Sequence, residues 1–271
     1  MNNEPLVSVI MATFNEPERF IKDSINSILN QTYYNLELLI ADDSSKDETI
    51  SAIDECATSD NRVKVIRKAQ RMGFVNALNI ALKEAKGTYI ARMDGDDVAV
   101  PERFEKQVAY LESYPEIDVL GGAMNIQNGK SEITSVRHYP TGGLKLLCWM
   151  SLRDPVGHPT VMFRRSIIDK GLYYDETMNK GCEDTEFWFR LRNNGFKIAN
   201  LQEPLVNYRI TVDMATKREK DNMANYIARK KNFYWKYLLF DCISLSSIKM
   251  RMMMPNSIIS WLYSKENNQK Y

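Results

Sequence analysis

Apolar and polar positions alternate along the first 115 residues in blocks that predict strands and helices in turn. Short apolar runs, rich in β-branched residues, predict buried strands at residues 6–11, 36–41, 63–66 and 89–93. After each run, apolar residues recur at helical spacing, which predicts helices around residues 20–29, 47–56, 77–85 and 104–111. Such β-α alternation predicts a mostly parallel sheet with helices on both faces.

The pattern is less regular after Asp118. It predicts a strand to about residue 123, a short strand at 161–163, and a helix from Glu183 to Arg192 that is stopped by Asn194-Gly195. No internal repeat or linker interrupts this stretch. We therefore expect one α/β domain over residues 1–212, followed by a basic, aromatic, helical tail over 213–271.

Polar and acidic segments follow three of the predicted strands directly: Thr13-Phe14-Asn15-Glu16, Asp42-Asp43-Ser44 and Asp94-Gly95-Asp96-Asp97. On a parallel sheet, ligands bind outside the carboxyl ends of the strands, so these segments are the candidate site. The sequence has no Gly-x-Gly-x-x-Gly after the first strand and no P-loop pattern. A dinucleotide-binding Rossmann domain and a P-loop nucleotidase are therefore disfavoured.

Asp94-Gly95-Asp96 places two carboxylates two residues apart, with a glycine that lets a ligand approach the backbone. Mg²⁺ and Mn²⁺ are held by one or two carboxylates together with substrate phosphates, so the motif suits a nucleoside diphosphate. Taken alone, a solvated turn is the other interpretation.

Two further acidic positions each have a chemical and a structural interpretation. Asp43 can accept the imide N–H of uracil, or it can form a turn or a helix cap. Glu183-Asp184 opens a helix, where a carboxylate either caps the N-terminus or acts as a general base for an attacking hydroxyl.

His158 and Arg71 also each have more than one interpretation. His158, in Gly-His-Pro-Thr, lines an acceptor site, approaches the metal, or is a hydrogen-bonded structural histidine. Arg71 reaches a diphosphate or lies on the surface. The absence of Gly-x-Ser-x-Gly disfavours a serine hydrolase.

Charge is divided unevenly along this 271-residue chain, although Lys+Arg (36) and Asp+Glu (35) nearly cancel. Residues 215–271 contain 11 Lys/Arg and 4 Asp/Glu, a local charge of +7. The preceding residues contain the other 25 Lys/Arg and 31 Asp/Glu, a local charge of −6. The near-neutral total argues against a nucleic-acid partner. Four separated cysteines, no leader pattern and no run of 18 apolar residues predict a cytoplasmic protein without a spanning helix.

Taken together and in order, several segments resemble the inverting glycosyltransferases of family 2, which have the GT-A fold, and in particular bacterial polysaccharide and O-antigen enzymes. The segments are VSVIMATFNE at 7–16, LLIADDSSKDET at 38–49, the stretch from Arg71 to Asn79, ARMDGDD at 91–97 and CEDTEFWFRL at 182–191. The Gln-x-x-Arg-Trp signature of processive synthases is missing, so the resemblance implies transfer of one sugar per encounter.

The resemblance implies a role for each matching position. Asp184 is the catalytic base, and Asp96, helped by Asp94, holds Mn²⁺ or Mg²⁺ in a DxD-type motif. Asp43 holds the uracil. The nucleotide is further lined by Thr13, Phe14, Glu16, Arg71, Gly73, Asn76, Asp94 and Gly95, although the family often has Asn where Arg71 stands. Glu183, His158 and Trp188 support the base or contact the acceptor.

The implied function is metal-dependent transfer of a sugar from a UDP-sugar to a hydroxyl of a glycan or polyprenyl-linked acceptor in surface polysaccharide synthesis. In that interpretation residues 1–115 bind the nucleotide and 116–212 the acceptor. The alternatives are a nucleotidyltransferase of similar fold and a non-catalytic sugar-nucleotide-binding protein. For the tail we hold two interpretations: peripheral contact with the cytoplasmic face of the inner membrane, or packing on the core or on a partner.

Overall fold

The computed structural model describes residues 4–129, 131–179, 181–210 and 214–254 of the chain. Within them, the backbone forms one mixed sheet. Its strands, in chain order, are β1 (Val7–Thr13), β2 (Leu36–Asp42), β3 (Val63–Ile66), β4 (Tyr89–Asp94), β5 (Val98–Ala99), β6 (Val119–Gln127), β7 (Ile133–Arg137), β8 (Met162–Arg164) and β9 (Ile198–Arg209).

Helices connect and cover these strands. They are α1 (Glu18–Leu29), α2 (Asp47–Ser59), α3 (Phe74–Glu84), α4 (Arg103–Ser113), α5 (Gly143–Met150), α6 (Ser166–Asp169), α7 (Glu183–Asn193), α8 (Met214–Lys231) and α9 (Leu238–Met253). Short 3₁₀ turns lie at His158–Thr160, Glu176–Met178 and Trp235–Tyr237.

The sheet has the order β3-β2-β1-β4-β8-β6-β9-β5, with β7 paired to β6. Strands β3, β2, β1 and β4 are parallel, and β6 and β9 are parallel to each other. Strand β8 is antiparallel to both of its neighbours. The predicted α/β class, a mostly parallel sheet flanked by helices, is confirmed.

Both faces of the parallel half are buried, which is why β1 and β2 are apolar nearly throughout rather than alternating. Side chains of β1 divide between the two faces: Ile10 packs in a core with α3 and α7, whereas Val9 and Met11 pack in a second core with α1 and α4. Every residue of β1 and β2 is buried.

The register of the strands brings the polar segments together at one edge of the sheet. Thr13 of β1 lies opposite Asp42 of β2, and Ala12 of β1 lies opposite Asp94 of β4. The three loops that follow these strands therefore start side by side, as the sequence pattern predicts.

Several elements differ from the sequence pattern. The pattern assigns no strand between residues 193 and 210, yet β9 there is twelve residues long. It assigns only weak elements before Met150, where helix α5 forms. Pairing of β9 with β6 shifts register around Gly122 and Ala123, where Pro204 lies opposite Ala123. Since proline cannot donate to a ladder, the pattern of this strand is broken in its middle.

The described part of the tail, 214–254, packs on the core. Arg229 donates to the carbonyl oxygen of Met150 at 2.6 Å, and Asn193 of α7 donates to the carbonyl oxygen of Asn232 at 2.8 Å. Packing on the core is thus confirmed for this segment, whereas residues 255–271 lie outside the described part. Among the helices described, none has the length and apolar character needed to cross a bilayer.

Candidate active site

The nucleotide side of the site is built by the loops after β1 and β2 and the turn before α3. Both oxygens of the Asp43 carboxylate accept backbone N–H groups, from Met72 at 2.9 Å and from Gly73 at 2.6 Å. Gly73 has φ 74°, a left-handed conformation that glycine adopts without strain. These bonds hold the turn that carries Arg71, whose guanidinium lies 3.8 Å from the centroid of the Phe14 ring.

Thr13, Glu16 and Gly95 are neighbours. A Cβ atom added to Gly95 would lie 3.2 Å from both Thr13 Oγ1 and Glu16 Cγ, so only glycine fits easily at this position. Thr13 Oγ1 is buried and has no hydrogen-bond partner in the described structure. Asn76, in contrast, is exposed and donates to the carbonyl oxygen of Met72, in the turn before its own helix, at 3.1 Å.

Asp94, Asp96 and Asp97 form a cluster in which one carboxylate oxygen from each residue lies within 4.8 Å of the others. Asp97 is buried. One of its oxygens accepts the N–H of Arg209 at 2.9 Å, and the other has no hydrogen-bond partner in the part of the chain described. Asp97 was not among the predicted ligands, although it directly follows Asp96.

Burial and the repulsion between neighbouring carboxylates raise the pKa of two of these residues, Asp96 and Asp97. Burial, followed by the Asp94 charge, raises the pKa of Asp96 to about 6. Burial and the charges of Asp94 and Asp96 raise the pKa of Asp97 well above its usual range. Three clustered carboxylates with an unpartnered buried oxygen fit a hard divalent cation such as Mn²⁺ or Mg²⁺.

Arg92 lies at the centre of the acidic region and was missed by the sequence reasoning. Its guanidinium is buried and donates to the carboxylate of Asp94, while its Nε has no hydrogen-bond partner in the described structure. Burial alone would lower the pKa of Arg92, but Asp94 and Glu183 raise it, so the side chain stays charged. An arginine inside the otherwise apolar strand β4 was the available signal.

The predicted base stands in the first turn of α7. Asp184 Oδ1 accepts the N–H of Thr185 at 2.7 Å, and the Thr185 hydroxyl donates to Asp154 at 2.6 Å. Burial and the nearby charges of Asp154 and Glu183 raise the pKa of Asp184 well above its usual range. A carboxylate whose pKa is raised in this way accepts a proton better than an ordinary aspartate does.

His158 is buried and neutral. Burial, with the charge of Arg92, lowers its pKa well below the usual value. Its Nε2 lies 2.8 Å from the Tyr174 hydroxyl, and its Nδ1 lies 3.9 Å from Glu183 Oε1. It is not part of the carboxylate cluster described above.

Trp188 corrects one sequence expectation. Its side chain is 0% exposed and packs edge-on against His158, with ring centroids 5.8 Å apart. Contact with an acceptor is therefore wrong for Trp188, because the helical spacing that places it on α7 turns the ring into the core. The contact that the structure shows for Trp188 is its packing against His158.

A polar pocket of about 310 Å³ joins the two halves of the site. Asp94 from the metal side and Asp184 from the base side both line it, together with His158. Its other lining residues include Arg92, Arg137, Tyr139, Asp154 and Tyr208. A more apolar cavity of about 620 Å³ lies elsewhere, between α5, the end of α7 and the start of β9, and contains none of the predicted site residues.

Known proteins match this chain in both sequence and fold. The family model described as glycosyl transferase family 2 matches residues 8–172. The putative glycosyltransferase EpsE of Bacillus subtilis is 34% identical over 281 residues, which cover 100% of this chain and 98% of EpsE. The chain belongs to glycosyltransferase family 2.

A further relative and a solved structure agree with this assignment. The O-antigen biosynthesis glycosyltransferase WbnJ of Escherichia coli is 34% identical over 209 residues, covering 76% of this chain and 80% of WbnJ. The crystal structure of S. aureus TarS 1-349 in complex with UDP superposes with a TM-score of 0.68 at 22% identity, covering 93% of this chain and 73% of that one. The predictions of a GT-A fold and of a glycosyltransferase are confirmed.

Proposed function

We propose that this glycosyltransferase moves one sugar from a UDP-sugar to a hydroxyl of a glycan or polyprenyl-linked glycan, with inversion, during surface polysaccharide synthesis. The observation that carries the proposal is the shared pocket, in which Asp94 and Asp184 face the same space. A donor diphosphate near the acid cluster and an acceptor hydroxyl near Asp184 would then meet within one cavity. The name of WbnJ and the UDP bound to TarS support the polysaccharide product and the uridine nucleotide.

Each residue has a task in this mechanism. Asp43 accepts the imide N–H of uracil, since each of its oxygens keeps a lone pair beyond the backbone bonds it already accepts. Phe14, Thr13, Glu16 and Gly95 line the nucleoside, and Arg71 approaches the diphosphate. Asp96 and Asp94, with Asp97 beside them, would hold Mn²⁺ or Mg²⁺, which supplies positive charge against the diphosphate of the departing UDP.

Asp184 removes the proton from the acceptor hydroxyl. The acceptor oxygen then forms its bond to the anomeric carbon from the side opposite the diphosphate, and the bond from that carbon to the UDP oxygen breaks. The configuration at the anomeric carbon is thereby inverted. A positioned general base of this kind contributes about 10² to 10⁴ in rate.

His158, which is neutral, lines the acceptor side of the pocket, Tyr174 fixes its imidazole, and Glu183 lies 3.9 Å from its Nδ1. Arg92 keeps the Asp94 carboxylate in one orientation and balances its charge. Residues 1–115 form the nucleotide half and residues 116–212 the acceptor half. The enzyme works in the cytoplasm, where it uses a UDP-sugar as its donor. It contacts a membrane peripherally.

A panel of UDP-sugars incubated with Mn²⁺ and the enzyme tests this function. We expect one or a few of them to release UDP by hydrolysis or by transfer to an added acceptor, and EDTA to abolish the release. Release of pyrophosphate from a nucleoside triphosphate would identify a nucleotidyltransferase instead. Absence of turnover, with sugar-nucleotide binding retained, would identify a non-catalytic binding protein.

A further inference from the structure

Helix α9 presents several large apolar side chains to solvent and buries two polar side chains against the protein. Leu239, Ile243, Met250 and Met253 recur at helical spacing on the outward face, where Leu239 is 68% exposed and Met253 is 86% exposed. On the inward face, Asp241 and Ser244 are buried together with Ile248. The ordinary arrangement is seen in α1, whose apolar residues face the core.

The inward polar groups are fully engaged, so this orientation of α9 is held by specific bonds. Asp241 accepts two bonds from the Arg192 guanidinium, at 2.7 and 3.0 Å, and one from the N–H of Tyr234 at 2.9 Å. The Ser244 hydroxyl accepts from Arg229 at 2.6 Å. Turning the helix to bury its apolar stripe would break all of these contacts.

The short turn before α9 extends the apolar surface. Trp235, in this turn, is 75% exposed, and Leu238, the first residue of α9, is also exposed. Tryptophan and tyrosine are the side chains that favour the boundary between a membrane and water, because the ring is apolar and one edge is polar. We call Trp235, Leu239, Ile243, Met250 and Met253 the α9 stripe.

Two exposed lysines flank the α9 stripe along the chain. Residues 222–254 contain six Lys/Arg, of which Arg229 is buried and Lys231 pairs with Asp175, and one acid, Asp241, which is buried in its pair with Arg192. Lys236 and Lys249 are exposed beside the stripe. Clusters of basic residues next to exposed apolar side chains bind anionic lipid headgroups, each Lys or Arg near the surface contributing to the attraction.

We propose that the α9 stripe inserts into the interface of an anionic phospholipid membrane, with Lys236 and Lys249 contacting the headgroups. A second copy of the chain suits the stripe less well, since a two-fold contact through it would bring the same cations of both copies together. The proposal names the surface for the membrane contact in the proposed function. Its readout is vesicle binding, which needs no turnover, so failure here and failure of glycosyl transfer are distinguishable.

Flotation of the full-length protein with vesicles tests the proposal. We expect the protein to float with vesicles of phosphatidylcholine and phosphatidylglycerol and to float far less with phosphatidylcholine alone. The double variant Leu239→Ser, Ile243→Ser should lower the bound fraction about tenfold or more, because two large apolar side chains no longer enter the interface. Ile133→Ser, which alters an exposed isoleucine on β7, is the matched control and should float like the parent protein.

Two further arms make the result decisive. Lys236→Gln with Lys249→Gln should reduce binding to the phosphatidylglycerol vesicles and flatten its dependence on salt. Circular dichroism and UDP release should be unchanged in the serine variant, because these side chains are exposed and line no part of the site pocket. Equal flotation of parent and serine variant, no flotation of the parent, or a parent dimer that the serine variant converts to monomer would overturn the proposal.

Discussion

Arg192, in the last turn of the helix that carries Asp184, forms a buried ion pair with Asp241 of α9. Two hydrogen bonds join the groups, and the side chains are 5% and 2% exposed. The same guanidinium lies 4.3 Å from the centroid of the Tyr237 ring. The appendage is therefore joined to the catalytic helix by a desolvated charge pair.

Removing one member of this pair should destabilise the protein strongly. Asp241→Ala leaves the Arg192 charge buried without its partner, and we expect a loss of about 3–5 kcal/mol in the free energy of unfolding. Urea denaturation followed by circular dichroism measures it. Asp169→Ala removes one partner of the exposed Arg165–Asp169 pair and serves as control, with an expected midpoint close to that of the parent. Equal midpoints for the two variants would show that the buried pair does not hold the appendage.

Metal binding should depend on pH through the acid cluster. The pKa of Asp96 is raised to about 6, so below that value the carboxyl is protonated and a poor ligand, whereas above it the ionised Asp96 is repelled by the Asp94 charge until a cation binds. Without metal, this raised pKa makes the cluster cost stability as the pH rises through 6. Added Mn²⁺ should therefore raise the melting temperature clearly at about pH 7.5 and little at about pH 5.

Differential scanning fluorimetry with Mn²⁺ as the only added ligand measures this shift. Asp96→Asn should abolish most of it, while Asp47→Asn, at the exposed start of α2, should preserve it. A shift of equal size at both pH values, or in the Asp96 variant, would argue that the cation binds elsewhere.

Recognition of the uracil ring of the donor should depend on Asp43. Uracil offers an imide N–H that cytosine lacks, and a hydrogen bond to a charged acceptor contributes about 1.5–3 kcal/mol. We expect UDP to bind about tenfold or more tightly than CDP, and Asp43→Asn to remove most of that preference. Isothermal titration calorimetry in the presence of Mn²⁺ provides both affinities. If the variant kept the same preference for UDP over CDP, Asp43 would not be the residue that binds uracil.

How far the sequence predicts this structure depends on how local the signal is. Strands β1, β2 and β4 are predicted because burial on both faces makes them largely apolar runs, and each of them ends in a polar residue. Strand β9 escapes prediction because Pro204 and the register shift opposite it break the pattern, and β5 has only two residues.

The site divides in the same way. Asp43, Asp94, Asp96 and Asp184 can be named as candidates because strand ends and a helix start are visible in sequence. Asp154 and Tyr174 cannot, because they reach the site only through tertiary contacts, with Thr185 and His158 respectively. Trp188 was misjudged because spacing along a helix does not say which face meets the pocket.

The base assignment is the centre of this account, and the Asp184→Asn variant tests it most directly. Turnover of the UDP-sugar found in the donor panel would be measured beside UDP affinity, with Asp169→Asn, exposed on α6, as control. We expect the Asp184 variant to bind UDP and Mn²⁺ like the parent while its kcat for transfer falls by about 10² to 10⁴. Transfer at the parent rate by that variant would contradict the account.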